Sequence, residues 1–225
     1  MWFFDHQPII NAILFGQYQG LLDQTLVCLA KRPAGPLLQL TCVYGKLTPT
    51  LLRSLGHENM TLVDVSMGQL ELSRRKEDES ASRKLLLSRM DAECLGLADN
   101  SFSTVLIFFL FHELPHEARQ RTFREALRVL NTSGQLVITE YAPLPVHHWL
   151  YRFQPSRWPL THLEPFLNDF WQENLLQALQ QHVDRLNKYV ELVEDHRFFS
   201  NFYRVTVFKI LKKEKIRDTR ISPQI

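Results

Sequence analysis

The residues of this chain whose types and spacing fit a chemical task stand just behind its apolar runs. Gly45 follows the run from Leu37 to Val43, and Asp64 lies 19 residues beyond that glycine. An acid about 20 residues past a strand-to-helix turn is placed to accept bonds from both hydroxyls of a ribose. The same residue type caps helices at such ends, so Asp64 alone leaves both readings open. A second station adds weight. Asp91-Ala92 follows the short run Leu85 to Leu87, with Leu95 and Leu97 close behind. An aspartate there can bond the exocyclic amine of adenine while apolar neighbours sandwich the ring. Two such stations in this order point to a nucleoside-type cofactor.

Past the fourth run, Thr104 to Leu110, come His112 and Glu113. They stand on the substrate side, where an imidazole serves as base or metal ligand and a carboxylate as either. A structural hydrogen-bonding role for His112 stays open beside that one. Glu140 and Tyr141 end the fifth run and face the same cleft. Tyr44 either contacts the cofactor or packs to close its loop. His147-His148 makes no metal pair by spacing, because adjacent residues project differently. The aromatics Trp149, Tyr151, Phe153, Trp158 and Phe166 are expected in the core, or as walls of an apolar pocket.

These groups need strand ends to hold them. Strands are expected over Leu37–Val43, Thr61–Val65, Leu85–Leu87, Thr104–Leu110 and Gln135–Glu140, each almost wholly apolar. Helical sequence separates them: a helix capped by Thr48 with Pro49 in its first turn, one from Ser66 to about Arg75, and one from about Pro115 to Leu130. Strands alternating with helices, and buried on both faces, make a doubly wound, mostly parallel α/β sheet. Helices broken near Gly16 and Gly20 are expected before it, up to about Lys31. Helical sequence is expected again to about Leu192, and Phe202–Phe208 closes the sheet as an antiparallel edge. The division expected is a helical segment over 1–36, a cofactor-binding domain over 37–210 and a basic tail over 211–225.

Composition excludes several classes. Of 225 residues, 45% are hydrophobic and 22% charged, enough for an ordinary core, and the net charge of +2 argues against nucleic acid. Three cysteines without CxxC spacing indicate neither a disulfide framework nor a zinc knuckle, so a reducing cytoplasm is expected. No apolar stretch is long enough to span a bilayer. The opening residues Trp2-Phe3-Phe4 lack the basic region of a signal peptide. They are expected to pack on the domain or to touch a lipid surface, making the protein peripheral to the inner membrane.

The progression Leu62-Val63-Asp64-Val65-Ser66, Asp91-Ala92, Leu97-Ala98-Asp99-Asn100-Ser101-Phe102, Phe111-His112-Glu113-Leu114 and Leu130-Asn131-Thr132-Ser133-Gly134 resembles class I S-adenosylmethionine-dependent methyltransferases. Among them it is similar to the branch holding the ubiquinone and menaquinone ring methyltransferases. The first motif departs from that pattern: Leu40-Thr41-Cys42-Val43-Tyr44-Gly45 has one glycine and no acid. A first motif ending Val43-Tyr44-Gly45 resembles the RquA family of rhodoquinone biosynthesis, as do the upstream Ile9 to Tyr18, Phe108 to Glu113, Leu163-Glu164-Pro165-Phe166 and Arg197 to Tyr203.

That resemblance implies a seven-stranded Rossmann-like sheet with an N-terminal helical lid, and S-adenosylmethionine as cofactor. The cofactor residues it implies are Thr41, Val43, Tyr44 and Gly45 at the methionine end, Asp64 and Val65 at the ribose, and Asp91, Ala92 and Phe109 around adenine and the strand ends. Asn11, Tyr18 and Tyr141 would meet substrate, and Tyr44, His112 and Glu113 would serve catalysis. The reaction implied replaces a methoxy group of ubiquinone with an amino group donated by the cofactor, with Mn2+ assisting. Lys46 departs from the family, which has an acid after Val-Tyr-Gly. Two alternatives remain: conventional methyl transfer to a small lipophilic or quinone-like acceptor, and cofactor binding without catalysis.

Overall fold

The structure is a computed structural model, and it describes residues 11–43, 45–54, 59–76 and 84–213. The opening residues expected to meet a lipid surface and most of the basic tail lie outside these. Seven strands form one sheet in the order β3-β2-β1-β4-β5-β7-β6. They are β1 (Leu37–Leu40), β2 (Met60–Asp64), β3 (Leu85–Arg89), β4 (Phe102–Phe108), β5 (Leu130–Tyr141), β6 (Lys188–Phe198) and β7 (Tyr203–Lys212). The first five pair in parallel, and β7 pairs antiparallel with both β5 and β6. The sheet is therefore the doubly wound, mostly parallel one expected, and the chain order reverses direction between β1 and β4. In such sheets the ligand crevice opens at that reversal, beyond the carboxyl ends of the strands.

Burial explains why these runs are strands. All four residues of β1 and all seven of β4 are buried, as a parallel strand covered on both faces must be. Helix α1 (Tyr18–Ala30) lies against β5 and β7, its Thr25 hydroxyl 2.7 Å from that of Thr139 and its Cys28 carbonyl taking a bond from Gln135 at 3.2 Å. Among its described residues, the segment expected as a lid is largely a covering helix, with Ile13, Leu14 and Tyr18 reaching the cleft. Gly16 breaks the helical sequence, but Gly20 does not. Gly20 sits within α1, where a Cβ would make only ordinary contact with the Phe198 ring at 3.5 Å.

Helices α2 (Leu47–Ser54), α3 (Met67–Arg75) and α4 (His116–Val129) link the parallel strands. Thr48 does not cap α2. It lies inside the helix, and its hydroxyl bonds the buried Gln39 amide oxygen at 3.2 Å. Ser66 does cap α3, accepting from the Gln69 amide at 3.4 Å. Asn131 to Gly134 bulge within β5, and Ser133 takes a φ of 81° there.

Four short helices follow: α5 (Trp149–Arg152), α6 (Gln154–Leu163), α7 (Leu167–Phe170) and α8 (Leu175–Val183). Two expectations fail at this end of the chain. Residues 188–192, expected as helix, begin strand β6. That strand covers β7, so Phe202–Phe208 belongs to an inner strand, and β6 is the edge. Strand β7 also runs on to Lys212, past the expected boundary at 210.

Candidate functional site

The first wall of the cleft is built where β1 ends. Thr41 takes a φ of 71°, a left-handed backbone that a β-branched residue adopts only at a cost. The loop holds it there. The Thr41 amide donates to Val63 O at 2.8 Å, its hydroxyl to Cys42 O at 3.0 Å, and Gln39 Nε2 donates to its carbonyl at 3.0 Å. A buried neutral amide and a strained threonine thus shape a loop that elsewhere in this fold is glycine-rich. Thr41→Gly should relieve about 1–2 kcal/mol of strain and lose about 0.5–1 kcal/mol to glycine's unfolded-state freedom. The expected net is a small rise in thermal midpoint, read by calorimetry; a clear fall would contradict the strain.

Tyr44, the residue expected to do most in this loop, lies outside the described residues. Gly45 follows with a φ of 84°, which glycine accepts without penalty, and it does not line the cleft. The Tyr18 hydroxyl accepts from the Lys46 amide at 2.8 Å, so this fully buried ring ties α1 to the loop while lining the cleft. Lys46 itself is exposed. Asn11 is exposed and is not among the lining residues.

Asp64, at the end of β2, joins two loops. One carboxylate oxygen accepts from the Cys42 amide at 2.8 Å, the other from the Ser66 amide at 2.7 Å. Each oxygen keeps a second lone pair, so the group remains able to accept two hydroxyl protons from the cleft that it lines. Cys42 beside it is no nucleophile. Burial, reinforced by the Asp64 charge, pushes its thiol up to about 12. Beyond β3, Asp91 is exposed and bonds the Glu93 amide through one oxygen at 2.9 Å. Met90, Ala92 and the exposed Val65 supply apolar surface around it.

The opposite wall starts at Phe109, which takes a φ of 53° as β4 gives way to a short 3-10 turn, Phe111–Glu113. Its ring packs edge-on against His112, Tyr141 and Tyr203, with centroids 5.7 to 5.8 Å apart. Glu140 is fully buried and is not among the lining residues. Its carboxylate lies 2.8 Å from His112 Nδ1 and takes the Phe111 and Tyr141 amides at 3.0 and 2.9 Å. With Nδ1 engaged, His112 Nε2 is the free ring nitrogen, 3.6 Å from the Glu164 carboxylate. A buried carboxylate orienting an imidazole in this way fixes ring position and raises its basicity.

Burial alone would lower the His112 pKa, but the adjacent Glu140, with Glu164 and Glu113 behind it, raises it above 6.5. Desolvation raises Glu113 and Glu164 above the usual carboxylate value of 4.5, partly opposed by His112. Glu113 is exposed as a whole residue and lines the cleft. All three groups bind protons more tightly in the native state. The two carboxyls contribute stability that is complete below 4.5 and lost as pH rises; the His112 contribution is complete below 6.5 and lost through its raised native value. Thermal midpoints should fall above pH 6.5, and His112→Asn should flatten that part of the profile. A variant with an unchanged slope would place the titration elsewhere.

Between these walls lies a cavity of about 570 Å³, within the range of small-ligand sites. It collects Thr41, Val43, Asp64, Val65, Asp91 and Ala92 at one end and Phe109, His112, Glu113 and Tyr141 at the other. Sequence reasoning missed Glu164, Ser66, Gln69 and Leu14, which also line it. The residues fit S-adenosylmethionine. Asp64 has free lone pairs for a diol, the apolar Met90–Ala92 edge suits a purine, and the flanking carboxylates suit a sulfonium charge.

For an Mn2+ ion the fit is poor. Among the described residues, the cleft brings no three ligand atoms within reach of one ion; the one such group is Cys28, Glu194 and His196, on α1 and β6. There Lys31 already neutralises Glu194 at 3.0 Å.

Residues 37–134 match the family described as a methyltransferase domain. The ubiquinone/menaquinone biosynthesis C-methyltransferase UbiE of Ruegeria sp. (strain TM1040) is 31% identical over 139 residues, covering 61% of this chain and 55% of that protein. The UbiE of Legionella pneumophila is 28% identical over 126 residues, covering 52% and 50%. The chain thus spans about half the length of the curated relatives it matches. Among solved structures, the [4+2]-cyclase SpnF gives a TM-score of 0.62 at 19% identity, covering 84% of this chain and 80% of that one. The PH0226 protein of Pyrococcus horikoshii gives 0.60 at 18%, covering 86% and 91%. These likenesses establish the fold, a Rossmann-like sheet, and residues 37–134 are similar to a methyltransferase domain. A cyclase among the neighbours shows that the fold does not by itself choose the reaction.

Proposed function

We propose that this methyltransferase-domain protein is an S-adenosylmethionine-dependent transferase acting on a small lipophilic, quinone-like ring. The observation that carries the reading is the two-ended cavity. Asp64 and Asp91 stand at the nucleoside end, and the His112–Glu140 pair stands at an end walled by Phe108, Phe109, Leu110 and Tyr141. A planar aromatic acceptor suits such walls, and the curated relatives are named for quinone biosynthesis. Positioning the acceptor against the cofactor would supply most of the acceleration.

Within that reading, the group transferred is proposed to be amino, in exchange for a ring methoxy as in the RquA family. What supports this is the first loop, where Thr41, Val43 and Tyr44 stand in place of glycines. A second reading, methyl transfer, is favoured by the oriented imidazole: His112 Nε2 can take the proton of a ring hydroxyl or activated carbon. Incubation with S-adenosylmethionine and ubiquinone, with and without added Mn2+, separates them by mass spectrometry. Nitrogen in place of a methoxy supports the first reading, and an added methyl on a demethylated precursor supports the second. His112→Ala should lower turnover by about a hundredfold in the second case, within the usual range for general-base catalysis.

A further inference from the structure

We infer that the segment from Val146 to Leu163 is a docking surface for an anionic lipid bilayer, set beside the mouth of the cavity. Of this segment's aromatics, expected in the core or as pocket walls, Tyr151 is half-buried against the core, whereas Trp149, Phe153 and Trp158 are exposed. Trp149 is 56% exposed, Trp158 63% and Leu163 77%. Among the described side chains of helix α6 none is buried. At helical spacing Pro155, Trp158, Pro159, His162 and Leu163 share one side, and all five are exposed. The opposite side, with Arg157, Leu160 and Thr161, is half-buried against the protein. A surface helix normally turns its charges outward. This one turns outward a tryptophan, a leucine and two prolines.

Two features say what covers this face. The stretch from Pro143 to Leu163 contains no aspartate or glutamate, while it carries the exposed Arg152, His147 and His162 and the half-buried Arg157; its third histidine, His148, is buried. An uncharged aromatic face bordered by cations is complementary to a negatively charged headgroup layer, where tryptophan is favoured and arginine stems lie along the interface. The segment also leads directly into the cleft. Glu164, the residue after α6, lines the cavity, and Ile13, 49% exposed, lines it from α1's side. No helix among the described residues is long and apolar enough to cross a membrane, so the face would lie on the bilayer rather than in it. A lipid-dissolved ring could then enter the cavity without crossing water. That link to turnover rests on the proposed acceptor, whereas lipid binding does not.

The test uses the full chain with no cofactor or quinone. Co-sedimentation with phosphatidylcholine vesicles, with and without phosphatidylglycerol, should show binding that needs the anionic lipid and weakens in high salt. The double variant Trp158→Ser/Leu163→Ser should bind at least about tenfold more weakly, since both side chains would leave the interface. Trp149→Ser should weaken binding independently, and both variants should keep the wild-type melting profile because these side chains are exposed. Three results would overturn the inference. The double variant could sediment as the wild type does. Removal of residues 1–10 alone could abolish binding that the double variant retains. The wild type could ignore both vesicles and form a dimer that Trp158→Ser dissociates, making a second copy the occupant.

Discussion

For methyl transfer with His112 as the base, Glu140→Gln should lower turnover by about 10²-fold, in line with losses on removing the orienting partner of a functional histidine. The expected change falls on kcat, with little change in cofactor affinity. The carboxylate serves three donors at once, the Phe111 amide, the Tyr141 amide and His112 Nδ1. Glutamine offers one acceptor oxygen and one amine, and that amine would face a backbone N–H or the imidazole. One buried donor is then left unmet, at about 1–3 kcal/mol, and the ring loses the charge that sets its orientation and its raised pKa. Glu140→Ala strands all three donors and should cost about 3–5 kcal/mol of stability, as breaking a buried charged pair does. Steady-state rates at saturating cofactor, with a urea titration of each variant, separate the catalytic loss from the folding loss. A glutamine variant with wild-type kcat would remove His112 from the proposed chemistry.

Asp64→Ala should weaken S-adenosylmethionine binding by about 10²- to 10³-fold, measured by calorimetry. Hydrogen bonds to a charged acceptor are each worth about 1.5–3 kcal/mol, and this carboxylate is placed for two to the ribose. It also joins the loop after β1 to the start of α3 through the Cys42 and Ser66 amides, so its removal loosens both walls. Asp64→Asn keeps one acceptor oxygen and should fall between the wild type and alanine. Equal affinities for all three would make Asp64 a structural clamp alone, which the sequence left open as a capping role.

The parallel half of the sheet was legible because burial on both faces leaves its mark in sequence. Thr104 to Phe108 and Leu136 to Thr139 are continuous apolar or β-branched runs, and such runs have few other uses. Strand β6 was not legible. It is an edge strand with Glu191 exposed, Asp195 paired with Arg197 and Glu194 with Lys31, and Leu192 and Val193 are 40% and 38% exposed. Neither a period of two nor an apolar run survives there, so the segment reads as helix. Missing it also put β7 at the edge.

The cleft was legible where a residue type sits at a strand end, as with Asp64, Asp91, His112 and Glu113. The left-handed conformations of Thr41 and Phe109 were not, because neither residue type announces a positive φ. Glu140 was read as facing the cleft, but it lies behind His112. Glu164 could be found only as part of a resemblance. Its approach to His112 is made by helices α5 and α6, whose path no local pattern predicts. The outward Trp158 of α6 was expected in the core or as a pocket wall, for the ordinary reason that tryptophan is mostly buried.

The claim on which the rest depends is transfer from S-adenosylmethionine to a quinone-like ring within this cavity. It is tested most directly by mass spectrometry of ubiquinone and its demethylated precursors after incubation with the protein and S-adenosylmethionine carrying labels on the methyl carbon and the amino nitrogen. The account predicts one labelled atom in the quinone ring system, nitrogen in place of a methoxy on the proposed reading, and its loss in Asp64→Ala. Tight cofactor binding with no label in any quinone would contradict it.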